Sequence, residues 1–142
     1  SGSLILAMEN AGQLIEDEDL RAQIKGSGIG TSATRAEIIK KLTNIKYIAL
    51  NKKTQVITPT QLGEMIFGVV HGSIKSLLNP ELTASWELGL TQVAEGKITA
   101  DEYMDKLDSF IKGRFKNVIN LNNAGQMVSY YNYVAQFYRR KK

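Results

Sequence analysis

Apolar side chains in this chain recur at spacings of three and four over most of its length, the mark of helices with one buried face. The first run, from about Ser3 to Glu9 or Ala11, is interrupted by Gly12. Asp17 to Lys25 predicts a second short helix, with acids in its first turn and Arg21 and Lys25 toward its end, which complements the helix dipole. Ser32 to Asn44 places Ile38, Ile39, Leu42 and Ile45 on one arc and Glu37, Lys40 and Lys41 on the other. The period then shifts. Tyr47–Leu50 and Gln55–Thr58 are β-favouring runs around Asn51-Lys52-Lys53-Thr54, a hairpin with a basic tip.

Helical spacing resumes after the hairpin. Pro59 reads as the first position of a helix from about Thr60 to Val70, capped by Thr58, with His71 at its end. A loop from Leu77 leads to a helix capped by Thr83, on which Leu82, Trp86, Leu90 and Val93 line one side and which Gly96 ends. Thr99-Ala100-Asp101-Glu102 is a capping box opening a helix that turns Tyr103, Leu107, Phe110 and Ile111 inward. After a loop of Asn120 to Gly125, the positions Met127, Tyr130, Tyr131, Val134, Phe137 and Tyr138 predict an amphipathic helix ending in Arg139-Arg140-Lys141-Lys142. The expected fold class is therefore mainly α with a small β-hairpin. Helices followed by a hairpin give a winged-helix-like order, in which the helix before the hairpin is the recognition-type element and the hairpin is the wing.

The richest local chemistry is Gly28-Ile29-Gly30-Thr31-Ser32-Ala33-Thr34-Arg35-Ala36. Helix starts carry unpaired N–H groups and the positive end of the dipole, so they attract anions. Here Gly28 and Gly30 permit positive φ and close approach, while Thr31, Ser32, Thr34 and Arg35 gather hydroxyls and a cation at one point. The plainer alternative is that a glycine ends one helix and Thr31 or Ser32 caps the next. The stretch lacks the Gly-Lys-Ser/Thr ending of a P-loop and the strand and third glycine of a dinucleotide fingerprint, which argues against nucleotide binding. Arg35 falls on the apolar arc of its helix, so its side chain has to reach past the helix end. Its partner is either an anion there or an internal carboxylate, Glu9 or one of Glu16 to Asp19.

The string GIGTSATRAEIIKKL resembles the GIGTPATRA-type signature of type IA DNA topoisomerases, particularly the topoisomerase III branch. Upstream LILAMEN (Leu4–Asn10) and downstream Tyr47-Ile48, Thr58-Pro59-Thr60-Gln61-Leu62-Gly63, Leu82-Thr83-Ala84-Ser85-Trp86-Glu87 and Ala94-Glu95-Gly96 follow the family's order of landmarks, over roughly residues 4 to 110. Ser32 departs from the family's proline; a serine can still cap the turn. The resemblance implies a parent isomerase that relaxes negatively supercoiled DNA, cutting one strand through a phosphotyrosine and resealing it with Mg²⁺ assistance. It implies that this segment follows the catalytic-tyrosine segment. None of the six tyrosines lies in a stretch resembling that segment, and no Toprim acidic cluster is present, so the piece is expected to be inactive alone and to hold no cofactor. Its expected DNA contacts are Gly28, Gly30, Thr31, Ser32, Thr34, Arg35, Lys52 and Lys53, meeting single-stranded DNA with little sequence preference, beside the remaining domains of the parent.

Composition narrows the picture further. The chain has 142 residues, 43% of them hydrophobic, enough for one core. It contains no cysteine, which excludes disulfides and cysteine-ligated zinc within it. A lone histidine, His71, has no partner at ligand spacing. Apolar runs such as Met65 to Val70 are too short to span a bilayer, so no membrane partner is expected, and the resemblance implies a cytoplasmic, nucleoid-associated location. The net charge is +4, and after Asp108 there is no acid while Lys112, Arg114, Lys116 and Arg139 to Lys142 remain, as expected beside a polyanion. The expected organisation is a cloning remnant at 1–3, a winged-helix-like topoisomerase domain at 4–116 and a basic aromatic helix at 117–142. The competing reading is a winged-helix transcription regulator that dimerises through its last helix and binds duplex DNA. A plain structural interaction domain is a third.

Overall fold

A computed structural model describes residues 2–24 and 28–139. Ser1 of the expected remnant, Lys25 at the expected end of the second helix, and Arg140, Lys141 and Lys142 lie outside the described residues. Among the described residues the chain forms seven α-helices and one antiparallel hairpin, in the order α1 (Gly2–Glu9), α2 (Glu18–Ile24), α3 (Ser32–Asn44), β1 (Ile48–Leu50), β2 (Ile57–Pro59), α4 (Gln61–Ser73), α5 (Pro80–Ala94), α6 (Ala100–Ile119) and α7 (Ala124–Tyr138). Short 3₁₀ turns at Ala11–Leu14 and Lys75–Leu78 join neighbours. The mainly helical class with a small hairpin is what the sequence predicts.

The helices form two packed groups. In one, α2 lies along α5 over a small core of Ile15, Ile24 and Ala84, with Leu20 against it. Ala84, fully buried, explains why the landmark stretch 82–87 carries a small residue at its centre: a larger side chain would wedge α5 from α2. Trp86 meets Tyr103 and Phe110 edge-on at 5.6 and 5.5 Å, holding α6 to α5 as a packing anchor. In the other group α3 abuts β1, and α4 carries α7.

Hairpin and caps differ from expectation in their details. Ile48 pairs with Pro59, Ala49 with Thr58 and Leu50 with Ile57, so the second strand starts two residues later than its β-favouring run. Gln55, at φ 58°, turns the chain back, and Pro59 ends the strand instead of opening the helix. Thr60, not Thr58, caps α4: its hydroxyl accepts from Gly63 N–H at 3.0 Å and donates back to the Lys46 and Tyr47 carbonyls. Gly63 lies so close to the Tyr47 backbone that a Cβ would come within 1.9 Å of its oxygen, which accounts for Thr60-Gln61-Leu62-Gly63 as a structural clamp. Helix α5 is capped by Asn79 with Pro80 behind it; Thr83 lies inside the helix. Gly96, at φ 71°, ends it as expected.

The box at Thr99 and Glu102 forms as predicted, with Thr99 N–H donating to Glu102 Oε2 at 2.7 Å and Glu102 N–H to Thr99 Oγ1 at 3.1 Å. Helix α6 then runs through the 116/117 junction to Ile119 and outreaches α5. Ile111, about 100° round the helix from the Phe110 that meets Trp86, is exposed and not inward, and Ile45 at the end of α3 is exposed too. Helix α7 begins at Ala124, three residues before its first predicted apolar position, and turns Met127, Tyr130 and Val134 toward α4.

Candidate nucleic-acid interface

The turn before α3 is tied down from both sides. Gly28 N–H donates to the Ile24 carbonyl and Ile29 N–H to the Met8 carbonyl, at 2.9 and 2.8 Å. Gly28 and Gly30 both adopt positive φ, 62° and 68°, and a Cβ on Gly28 would lie 2.2 Å from the Met8 oxygen. Only glycine fits there. Thr31 is the extended residue before α3, and its N–H donates to Thr34 Oγ1 at 2.9 Å while the two hydroxyls sit 3.1 Å apart. These two threonines thus brace the helix start, and they and Ser32 remain exposed on its solvent side.

Arg35 points inward. It is 4% exposed; its Nε donates to the Ile29 carbonyl and an Nη to the Gly30 carbonyl, each at 3.2 Å, and the other Nη lies 3.7 Å from Glu9 Oε1. The guanidinium is therefore a strut that joins the glycine turn, α3 and the end of α1. Of the two partner types the sequence leaves open for Arg35, the described geometry contains the internal carboxylate, Glu9. Thr31, Ser32, Ala33 and Thr34, at the start of α3, are exposed while Arg35 behind them is buried.

The hairpin tip is built by Asn51, whose Oδ1 accepts from Lys53 and Thr54 N–H at 2.9 and 3.2 Å, while the Gln55 amide donates to the Lys52 carbonyl at 2.9 Å. Lys52 and Lys53 are exposed, and among the described residues neither forms a salt bridge. Farther on, Lys112 is paired with Asp108 at 2.6 Å, a hydrogen bond that raises its ammonium above the ordinary lysine range, and Arg114 lies over the Phe110 ring. Among the described residues no three His, Cys, Asp or Glu side chains come close enough together to hold a metal ion. No helix among them is long and apolar enough to cross a membrane.

What sequence reasoning missed is the α4–α7 seam. Gly68 and Gly72 form a flat strip that receives Tyr130 and Met127, Tyr130 O–H donates to the Glu64 carbonyl at 3.0 Å, and the Asn123 amide donates to the Gly72 carbonyl at 2.9 Å. The Gly68-x-x-x-Gly72 spacing opposite an aromatic helix is the signal that points to it. Tyr138, at the same seam, has its phenol held above the ordinary value, first by burial and then by the Glu64 carboxylate.

The family model described as DNA topoisomerase matches residues 1–105. The chain is 32% identical over 124 residues to DNA topoisomerase 3 of Bacillus licheniformis, covering 85% of this chain and 16% of that protein. It is 33% identical over 122 residues to DNA topoisomerase 3 of Bacillus subtilis, covering 84% and 16%, and 36% identical over 128 residues to that of Staphylococcus epidermidis, covering 88% and 17%. These alignments run longer than the stretch 4–110 that holds the sequence landmarks. The chain spans about one sixth of the length of the curated relatives it matches.

Proposed function

The chain belongs to the DNA topoisomerase family as a piece similar to DNA topoisomerase 3, and on that premise we propose that it forms part of the groove that positions a single DNA strand for cleavage and passage by its parent enzyme. One observation carries the reading: a braced, outward-facing helix start bearing Thr31 and Ser32 is followed directly by a hairpin whose tip presents Lys52 and Lys53. That order supports a winged-helix-like arrangement, with α3 as the recognition-type helix and the hairpin as the wing.

In this mechanism the Ser32 and Ala33 N–H groups at the start of α3, with the Thr31 and Ser32 hydroxyls, bind one phosphate, while the Thr34 and Arg35 N–H groups are taken by Thr31. Lys52 and Lys53 meet the backbone from the side. Gly28, Gly30, Thr34 and Arg35 act through the turn they shape, keeping the helix start open and its amides aligned. Phosphate contacts fix where the strand lies and carry little sequence information, so binding is weakly specific. The bond-breaking groups belong to other parts of the parent; this piece alone relaxes no DNA. The parent works on the nucleoid.

The test is fluorescence-anisotropy titration of the chain with labelled single-stranded and duplex oligonucleotides across a salt series. Single strands are expected to bind better than duplexes, nearly independently of sequence. Lys52→Ala combined with Lys53→Ala is expected to flatten the dependence of log affinity on log salt by about 0.7 for each phosphate that the variant no longer neutralises. Preference for one duplex sequence, with an unchanged slope in the double variant, would overturn the proposal in favour of a duplex-reading regulator.

A further inference from the structure

Helix α7 settles on α4 because a Cβ at Gly68 would lie 1.9 Å from the Tyr130 ring, so only glycine lets the two backbones approach. Beside this seam lies an open groove of 330 Å³, walled by Phe67 and His71 of α4 and by Gln126 and Tyr130 of α7. Phe67 is 52% exposed and stacks on His71, with ring centroids 6.0 Å apart and planes 29° apart. Along the same flank of α7, Gln126, Tyr130, Tyr133 and Phe137 follow at spacings of four, three and four, so they line one side of the helix. Tyr133 and Phe137 are 59% and 68% exposed and touch edge to face at 5.2 Å. Rings left this open contribute little to the core of the chain.

Charge identifies what covers them. Among the described residues no carboxylate lines the groove, Lys75 borders Phe67 and His71 on the adjoining surface, the exposed Arg139 follows α7, and Glu64, against Tyr138, is the one acid on the two helices. A second copy would bring the same two cations, Lys75 and Arg139, to the face, whereas a polyanion complements them. Flat rings flanked by cations suit unpaired bases, each of which has a π-face to stack.

We propose that this flank of α4 and α7 is a base-stacking platform for single-stranded DNA. One base enters the groove against Phe67, with the Gln126 amide at its edge, and its neighbours stack on Tyr133 and Phe137. The proposal rests on the reading that the chain handles a single strand, and it adds base contacts to the phosphate contacts made by α3 and the hairpin.

The test compares a labelled oligothymidylate with an abasic strand of the same length, bound to the wild-type chain, to a Tyr133→Ala/Phe137→Ala variant and to the Lys52→Ala/Lys53→Ala variant. The wild type is expected to bind the abasic strand at least about fivefold more weakly, and the ring variant to bind oligothymidylate about that weakly while binding the abasic strand as the wild type does. Its salt slope stays at the wild-type value, because no charge is removed. Equal binding of both strands by the wild type, or a ring variant with wild-type affinity, overturns the platform. So does sedimentation showing a dimer that the ring variant dissolves. If the lysine variant weakens both strands while the ring variant changes nothing, the phosphate-contact reading stands and the platform alone falls; absence of binding to either strand removes both.

Discussion

Replacing Arg35 by alanine separates two roles that a cation beside a phosphate site can play. In the structure its guanidinium donates to two carbonyls of the glycine turn and pairs with Glu9, at 4% exposure. A hydrogen bond from a charged donor contributes about 1.5 to 3 kcal/mol net. The turn lies at the surface, so water regains part of each bond, and the lower end applies to both. The Glu9 side chain is 48% exposed, which limits that ion pair to about 0 to 1 kcal/mol. Together these give a loss of about 3 kcal/mol, and at about 2 to 4 °C per kcal/mol for a chain of this size the melting temperature falls by roughly 10 °C.

Circular dichroism melting reads that loss, and DNA titration across salt reads the other role. A strut at the turn lowers affinity by loosening the helix start but leaves the salt slope unchanged. A phosphate ligand lowers the slope by about 0.7 on single strands and leaves the melting temperature nearly where it was. Arg35→Lys sharpens the comparison, since it keeps the charge but cannot bridge two carbonyls and a carboxylate together. It is expected to melt close to the alanine variant. A reduced slope in Arg35→Ala with an unshifted melting temperature would refute the strut and make Arg35 a direct DNA contact.

Three further outcomes follow from the backbone and caps. Gly28→Ala places a methyl group 2.2 and 2.4 Å from the Met8 and Glu9 oxygens at positive φ, and is expected to cost about 3 kcal/mol or more in urea denaturation, whereas Gly96→Ala, also at positive φ but with open space around it, costs about 1 to 2 kcal/mol. Gly68→Ala drives the Tyr130 ring off α4; limited proteolysis is expected to cut α7 first while α2 and α5 stay protected, and equal protection throughout would contradict the seam. Glu102 is held below its ordinary value, chiefly by the Thr99 N–H and then by its hydroxyl, so the stability it adds to α6 is full above that ordinary value, roughly 4.3, and is lost as pH falls through the lowered one. Melting curves of Glu102→Gln should therefore converge on those of the wild type at acid pH and lie below them at neutral pH.

The parts legible in the sequence are those whose cause is local. The Thr99 box, the glycine stop at Gly96 and the bounds of α3 each depend on residues within one turn of one another, and each forms where the pattern places it. Pro59 shows where locality fails. A proline before a helical run reads as the first helical residue, but here it pairs with Ile48 at the end of a strand. The helix start is set instead by Thr60, which reaches back to carbonyls 13 and 14 residues earlier. The exposure of Ile111 has a different cause: Phe110 takes the contact with Trp86, and Ile111, about 100° round the helix from it, falls at the edge of the apolar stripe where α5 no longer covers it.

The turn at 28–36 combines both kinds of cause, and that bears on what its signature encodes. Thr31 and Thr34 are a local cap, readable from spacing. Gly28 is required by the Met8 and Glu9 backbone and Arg35 by carbonyls five and six residues before it, which no helical wheel displays. Glycines and an arginine at a helix start suit direct phosphate contacts as well as loop closure, and the bonds they make within the chain hold the loop closed beneath the helix start. A substitution at Gly28, Gly30 or Arg35 should therefore weaken DNA binding in proportion to the stability it removes. One at Ser32 or at Lys52 and Lys53 should weaken binding with stability unchanged. Plotting affinity loss against melting-temperature loss for both groups decides between the roles: two separate lines support a shaped site contacted from outside, and a single cluster would mean that the turn itself grips the strand.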